Sequence, residues 1–110
     1  MNMTKSIDYM GNTAFFKALG DENRLKIVDK LSFGEVCACE ILWELEITQS
    51  TLSHHMKILC GCSLVKSRRA GKWIYYSLND KTIRAIKLFV NKITAKKEEI
   101  NSKIEEGCCQ

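Results

Sequence analysis

The sequence predicts a mostly α-helical domain with a single β-hairpin, and three observations support this. Several stretches repeat apolar residues at intervals of three and four, which is typical of helices with one buried face. Only residues 64–78 have the pattern of two short strands around a Gly-containing turn. The chain has 110 residues and no proline or linker, so we predict one domain over residues 1–110. A chain of this size can bury roughly two thirds of its unfolded surface.

Two short helices are predicted near the N-terminus. Residues 9–19 carry one apolar stripe, and Gly20 ends that helix. Asp21 is placed to cap a second helix over residues 22–31 by accepting a backbone hydrogen bond. The expected apolar stripe of the second helix is Leu25, Ile27, Val28 and Leu31.

Two further helices follow in close succession. The first is a short amphipathic segment over residues 39–46, and a tight connection at Ile47 leads to the second. The hydroxyl of Thr48 is suited to cap the second helix by accepting a hydrogen bond near Ser50 or Thr51. This order is that of a helix-turn-helix, in which the first helix supports the second.

The helix after Thr48 has one apolar face and one polar face. Leu52, Met56 and Leu59 share the apolar face, and the adjacent His55 is expected to be partly buried. The polar face contains short hydrogen-bonding side chains and a lysine with almost no carboxylate, whereas a solvated helix usually mixes Glu with Lys. A plain solvated face is the alternative, but such side chains suit base edges and phosphates. The predicted DNA contacts on this helix are Gln49, Ser50, Thr51, Ser53, His54 and Lys57.

A basic β-hairpin is predicted directly after this helix. Its tip is expected to hold Arg68, Arg69 and Lys72, which we also predict to contact DNA. A basic hairpin beside a recognition helix is a wing, so the predicted fold is a winged helix-turn-helix. The net charge of +4 is too small to indicate nucleic acid by itself. The clustering of basic residues around the helix and the hairpin is the stronger indication.

A long last helix is predicted from about residue 81 to 106, with Asp80 as its cap, followed by a short Cys-containing tail at 107–110. The apolar stripe of its first half is Ile83, Ile86, Phe89, Val90 and Ile93. One small domain cannot bury this stripe together with that of the first helix. We therefore predict a homodimer formed by helices 9–19 and 81–106, which binds an inverted repeat in double-stranded DNA.

The composition bears on location and on enzymatic function. No apolar run approaches the ~18 residues needed to span a membrane, and the first residues lack the apolar segment of a signal peptide. We expect a cytoplasmic protein without membrane contact, whose six cysteines are mostly reduced. No nucleophile–base set or phosphate loop is present, so no enzyme is predicted. A small thiol oxidoreductase is the least favoured alternative, because it would require Cys-x-x-Cys.

Four blocks of the sequence resemble the ArsR/SmtB family of metal- and arsenic-responsive repressors. They occur in the family's order within residues 15–78 and read ALGDENRLKI (18–27), GEVCACEI (34–41), QSTLSHHMKIL (49–59) and LVKSRRAGKWIYYSL (64–78). The resemblance implies a winged helix-turn-helix homodimer. It also implies that the ligand-free form binds operator DNA and that a thiophilic ion causes release.

The resemblance places Cys37 and Cys39 where arsenic and cadmium/lead sensors of the family carry a Cys-x-Cys pair. Soft thiolates select soft ions, which favours binding of such an ion over a structural role. Residues two apart point about 200° away from each other on a regular helix. Both sulfurs can therefore reach one ion only near a frayed helix end, and ion binding should distort the first helical turn.

The sequence departs from the best-known arsenic pattern of the family. That pattern has a third cysteine three residues after the second, where this chain has Leu42. Either the ligand needs only two thiols, or a third comes from Cys60 or Cys62 at the end of the recognition helix, or from Cys108 and Cys109 in the tail. A core position for Cys60 and an inert tail are the alternatives.

Comparison with the family also bears on which ion binds. Its zinc and nickel sensors use His and carboxylates on the last helix, and this chain has no His there, so zinc is not expected. Its cadmium/lead sensors add thiols from an N-terminal extension, but no Cys precedes Cys37. Trivalent arsenic or antimony, inorganic or organic, is the leading inducer, with no organic cofactor. The alternatives are a cadmium/lead-responsive repressor and a redox-responsive one that oxidises Cys37 and Cys39 to a disulfide.

Overall fold

The computed structural model describes residues 9–105, and five helices and three strands lie within that range. In chain order these elements are α1 Tyr9–Leu19, α2 Glu22–Leu31, β1 Val36–Cys37, α3 Ala38–Leu45, α4 Gln49–Gly61, β2 Val65–Ala70, β3 Trp73–Leu78 and α5 Asp80–Glu105. The prediction of a mostly α-helical fold with one β-hairpin is confirmed. The tail at 107–110 lies outside the described residues.

Two predicted helix caps are present. The carboxylate of Asp21 accepts a hydrogen bond from the backbone N–H of Arg24 at 3.1 Å and begins α2. The hydroxyl of Thr48 accepts one from the backbone N–H of Thr51, also at 3.1 Å, and begins α4. Each cap satisfies one of the N–H groups that a helix start leaves without an intrahelical partner.

The predicted cap of the last helix is wrong by one residue. The side-chain oxygen of Asn79, rather than that of Asp80, accepts the backbone N–H of Lys81 at 3.1 Å. Asp80 already belongs to the first turn of α5, where its negative charge interacts favourably with the helix dipole. Asn and Asp are equally good capping residues, so the sequence alone does not distinguish two adjacent candidates.

The strands form one antiparallel sheet in the order β1-β3-β2. β2 and β3 form the predicted hairpin, with Ala70 paired to Trp73 across the turn. Gly71 adopts a φ of 64° in that turn, a left-handed conformation that glycine adopts without the steric cost of a side chain.

The short strand β1 was not predicted. Its two residues pair with the second hairpin strand, Val36 with Tyr76 and Cys37 with Tyr75. Two residues are too few for an alternating pattern to be recognised in a sequence. The strand connects the start of α3 directly to the wing.

The core lies between α1, α2, α3, α4 and the base of the hairpin. Its buried residues are Ala18, Ile27, Leu31, Ile41, Leu52, Met56, Leu59, Leu64 and Val65. The predicted apolar face of α4 is therefore confirmed. On α2, the placement of Leu25 in the stripe is wrong: Leu25 is 52% exposed, whereas Ile27 is fully buried. Residues two apart lie on nearly opposite sides of a helix, so both could not face the core.

The apolar stripe of α5 is covered only in part by its own domain. Ile83 and Ile86 pack against the core, and the ring of Phe89 lies 5.9 Å from that of Phe16 on α1. Val90 and Ile93 on the same stripe remain 46% and 49% exposed. Among the described residues, no helix has the length and apolarity to cross a membrane.

Candidate nucleic-acid interface and the adjacent thiol pair

The predicted recognition helix α4 presents its polar face to solvent. Thr51 differs from the other predicted contacts, because it is half-buried and its hydroxyl accepts a hydrogen bond from the Thr48 hydroxyl at 3.0 Å. Its side chain therefore takes part in the helix cap. The exposed predicted contacts are Gln49, Ser50, Ser53, His54 and Lys57.

The inner face of α4 is tied to the first two helices by a polar contact. His55 is only 6% exposed, so it is more deeply buried than expected. Its Nδ1 accepts a hydrogen bond from the Arg24 guanidinium at 3.1 Å and lies 3.8 Å from the Asp21 carboxylate. The Nε of Arg24 also donates to the carbonyl of Ala18 at 2.6 Å. Sequence reasoning missed this contact, because 31 residues separate Arg24 from His55.

This environment favours the neutral form of His55. Burial lowers its pKa, and the positive charge of Arg24 and the neighbouring His54 lower it further, whereas the Asp21 carboxylate opposes the shift. Arginine can only donate, so the Nδ1 that it contacts carries no proton.

The lowered pKa of His55 predicts a loss of stability as the pH falls. In the unfolded chain His55 takes up a proton near its ordinary pKa of about 6.5, whereas the folded state resists protonation. The stabilisation is complete above that pH and declines below it. Urea unfolding should show a smaller decline in unfolding free energy between pH 7 and pH 5 for His55→Gln than for the unaltered chain. The exposed His54→Gln is the control, and equal declines in all three chains would contradict the prediction.

The wing holds its basic residues in different settings. Lys72 lies in the turn, with its Nζ 5.3 Å from the centre of the Trp73 ring. Arg69 and Arg68 do not lie in the turn as expected, because they pair with Ile74 and Tyr75 within the strands. Arg68 also forms an ion pair with Glu35. Its Nε and Nη2 donate to the carboxylate of Glu35 at 3.0 and 2.7 Å, and this hydrogen bonding lowers the pKa of Glu35.

Arg69 is exposed and lies on the opposite face of β2 from Arg68, because side chains alternate along a strand. Among the side chains described, those of residues 12–95, no carboxylate is in ion-pair contact with Arg69. Its charge is therefore available to a phosphate, whereas that of Arg68 is offset by Glu35.

We expect Arg69→Ala to weaken DNA binding more than Arg68→Ala does. The first removes a free cation, which should lower affinity for all sequences and reduce the slope of log K against log salt by about one. The second removes a cation already paired with Glu35. Fluorescence anisotropy with operator and random duplexes at several salt concentrations measures both quantities. Ser53→Ala is a control, since loss of a base contact should weaken operator binding alone, and equal slopes for the two arginine variants would contradict the expectation.

Cys37 and Cys39 converge at the start of α3. Cys37 is the N-cap residue with an extended backbone, at φ −73° and ψ 143°, and Cys39 is the second residue of the helix. The Sγ of Cys39 donates to the Sγ of Cys37 at 3.0 Å, and this hydrogen bond raises the pKa of the Cys39 thiol, with desolvation adding to the effect. Two sulfurs that share one ion through bonds of ~2.3 Å lie within ~4.6 Å of each other, so the pair already satisfies that limit.

A cavity of about 190 Å³ adjoins the thiol pair. It lies between the start of α3, the start of α4 and the tip of the wing. Its lining consists of Cys37, Ala38, Cys39, Leu42, Gln49, Lys72, Trp73 and Ile74. The thiols therefore share one cavity with two of the predicted DNA contacts, Gln49 and Lys72.

The thiols at the end of α4 have a different environment. Cys60 is half-buried against the core, and this burial raises the pKa of its thiol. The thiol of Cys62 donates to the carbonyl of Leu59 at 3.5 Å. The side chains of Cys60 and Cys62 are both partly buried against the core.

The expected third ligand is not found in the described part of the chain. Among residues 12–95, whose side chains the structure describes, no cluster of three or more His, Cys, Asp or Glu is suited to a metal ion, so neither Cys60 nor Cys62 joins Cys37 and Cys39 in one. Cys108 and Cys109 lie outside the described residues.

A helix with an open polar face, supported by a second helix and followed by a basic hairpin, defines a winged helix-turn-helix DNA-binding protein. A family model described as "Bacterial regulatory protein, arsR family" matches residues 21–67. The chain is 36% identical over 104 residues to the "Arsenical resistance operon repressor" of Staphylococcus aureus, covering 94% of this chain and 100% of that protein. The chain belongs to the arsR family of bacterial regulatory proteins. It is a transcriptional repressor that binds operator DNA, and not an enzyme.

Two further comparisons extend this result. The chain is 40% identical over 72 residues to the "Cadmium resistance transcriptional regulatory protein CadC homolog" of Staphylococcus aureus, covering 64% of this chain and 60% of that protein. The solved structure of the "ArsR-like Transcriptional Regulator from Rhodococcus sp. RHA1" superposes with a TM-score of 0.78 at 23% identity, covering 91% of this chain and 94% of that one. The second likeness concerns the fold alone.

Proposed function

We propose that this repressor releases its operator when trivalent arsenic or antimony binds to Cys37 and Cys39. The observation that carries the proposal is the contact of the two sulfur atoms, 3.0 Å apart, at the start of the helix that supports α4. Similarity over nearly the whole chain to a protein named as an arsenical resistance operon repressor supports the choice of ion.

The chemistry of the donor set favours arsenic over divalent ions. Arsenous acid, As(OH)₃, condenses with two thiols: two As–O bonds break, two As–S bonds form, and the thiol protons leave with the hydroxides as two waters. Arsenic stays trivalent. Divalent zinc usually takes four ligands, and the described residues offer this pair without a third His, Cys, Asp or Glu. A cadmium or lead response is the alternative, which the likeness to the CadC homolog supports.

A redox response is a second candidate function. The 3.0 Å contact between the two sulfurs also suits their oxidation by a peroxide to a disulfide. In that reaction each thiol loses one electron and one proton, and the peroxide is reduced to two waters. The same pair would then control DNA binding without an ion.

The fold provides a route from the thiols to the DNA-contacting elements. Cys37 belongs to β1, whose partner β3 is a strand of the wing. Cys39 belongs to α3, which supports α4. The sulfurs already lie 3.0 Å apart, so an ion can bind both without bringing them closer. We infer that the ion replaces their S–H···S hydrogen bond, and that the new bonds at this junction change the positions of the wing and of α4. A ligand shifts the equilibrium only by its differential affinity for the two states, so operator DNA weakens arsenic binding by the same factor.

The proposed repressor acts as a cytoplasmic homodimer. The part of the α5 stripe left open, at Val90 and Ile93, provides the dimer contact together with α1. A two-fold dimer places its recognition helices about one DNA turn, ~34 Å, apart on an inverted repeat.

Operator release titrated with several inducers tests the proposed function. Labelled operator bound to the reduced protein is titrated separately with arsenite, antimonite, cadmium, lead, zinc and hydrogen peroxide. We expect arsenite and antimonite to release the DNA at the lowest concentrations. Release by cadmium or lead at lower concentration supports the first alternative, and release by peroxide alone supports the redox candidate.

A further inference from the structure

The cavity beside the thiol pair is suited to bind an organic group. Besides the two thiols, Ala38, Leu42, Trp73 and Ile74 provide apolar lining, and Gln49 and Lys72 complete it. Trp73 is 47% exposed, so a large aromatic surface stands open beside the thiols. An apolar group placed there would leave water and cover that surface.

The size of the cavity restricts the group that it can hold. A dry cavity of about 150 Å³ lined by apolar side chains is large enough to bind benzene. The cavity here measures about 190 Å³, which is sufficient for a methyl group or for one aromatic ring.

Resting on the proposed function, we infer that the ligand which fits this site best is a monosubstituted trivalent arsenical, R–As(OH)₂, with its carbon substituent seated against Trp73. Such a compound has two replaceable hydroxyls, which matches the two thiols. Two As–O bonds break, two As–S bonds form to Cys37 and Cys39, and two waters leave with the thiol protons. Arsenic stays trivalent, and the As–C bond is unchanged.

Arsenous acid fits the same site less well. After two condensations it retains one As–OH group. The cavity lining offers Leu42 but no cysteine besides Cys37 and Cys39 to replace that hydroxyl. Burial of a hydroxyl against apolar walls is unfavourable, whereas burial of a carbon group is favourable. Even one buried methylene in an apolar pocket gives about tenfold discrimination, so a phenyl group should give at least that.

The test compares two probes, phenylarsine oxide, which hydrates to phenylarsonous acid, and arsenite. The measured quantity is the ratio of the two concentrations that half-release labelled operator. Because both midpoints come from the same protein, a change in DNA affinity cancels from this ratio. We expect the unaltered chain to require at least about tenfold less of the phenyl compound.

Three variants show whether the cavity is responsible for that preference. Trp73→Ala should bring the ratio towards one. Trp43→Ala should leave it unchanged, because Trp43 is an equally large side chain, 84% exposed, that does not line this cavity. Leu42→Cys places another thiol on the cavity wall and should strengthen the arsenite response, which lowers or reverses the preference.

The outcomes separate this inference from the function on which it rests. A ratio near one in the unaltered chain, or a ratio that Trp73→Ala does not change, overturns the inference while arsenite still acts as inducer. A preference lost in Cys108→Ser with Cys109→Ser also overturns it, because the organic ligand then binds to the tail. Release by both probes from Cys37→Ser with Cys39→Ser overturns the proposed function and the inference together.

Discussion

Replacement of both Cys37 and Cys39 by serine is expected to leave operator binding intact and to abolish release by arsenite. Serine is close to cysteine in size but does not form stable bonds to trivalent arsenic. It is also a favoured N-cap residue, and the Cys37 side chain makes no cap hydrogen bond, so the exchange should not destabilise α3. The ratio of operator affinities without and with arsenite, typically about 5 to 150 in coupled systems, should fall to one.

The other cysteines provide the controls for this experiment. Cys60→Ser should respond to arsenite as the unaltered chain does, because its half-buried thiol is not grouped with the pair. Cys108→Ser with Cys109→Ser should show a milder loss or none. Normal arsenite release from the Cys37/Cys39 double variant would place the inducer site elsewhere, with the tail pair as the leading candidate.

Val90→Glu with Ile93→Glu is expected to convert a dimer into monomers and to weaken operator binding by at least about 100-fold. The two side chains continue the partly buried stripe of Ile83 and Ile86 but remain about half exposed within one chain. Two carboxylates there would have to be desolvated at the dimer contact. Loss of the second half-site removes an avidity gain that is typically about 10²- to 10⁴-fold.

Sedimentation velocity at micromolar concentration and operator titration measure the two effects. Leu88→Glu is the matched control, because Leu88 is 57% exposed but lies two residues from Val90, on the far side of α5. That variant should remain dimeric. A monomeric unaltered chain, or a Val90/Ile93 variant that stays dimeric, would contradict the predicted assembly.

Elements with strong local signals were predictable from the sequence. The bounds of α1 and α2 follow from Gly20 and Asp21, because a helix stop and a helix cap stand side by side. The start of α4 follows from Thr48 in the same way. Asn79 and Asp80 are both good capping residues, so the sequence did not show which of them caps α5. In the structure Asn79 does so.

The candidate site was predictable only in part. Family resemblance and spacing located Cys37 and Cys39, but nothing local to them indicated that the wing lies beside them. Trp73 is more than thirty residues away, and strand β1, which brings the wing close, has no recognisable pattern of its own. The pairing of Arg68 with Glu35 was hidden for the same reason, since 33 residues separate them.

The brevity of β1 has a consequence for how the molecule moves. A connection of two paired residues is held by few backbone hydrogen bonds, and each contributes only about 0.5–1.5 kcal/mol net. Parting β1 from β3 therefore costs far less than unfolding the core around Ile27, Ile41 and Leu59. We therefore expect the β1–β3 pairing to have its own local opening equilibrium, while Leu64 and Val65 keep the base of the hairpin in the core. In amide hydrogen exchange, Val36 and Cys37 should exchange deuterium well before the interior of α4, at a rate that depends on the occupancy of the neighbouring thiols.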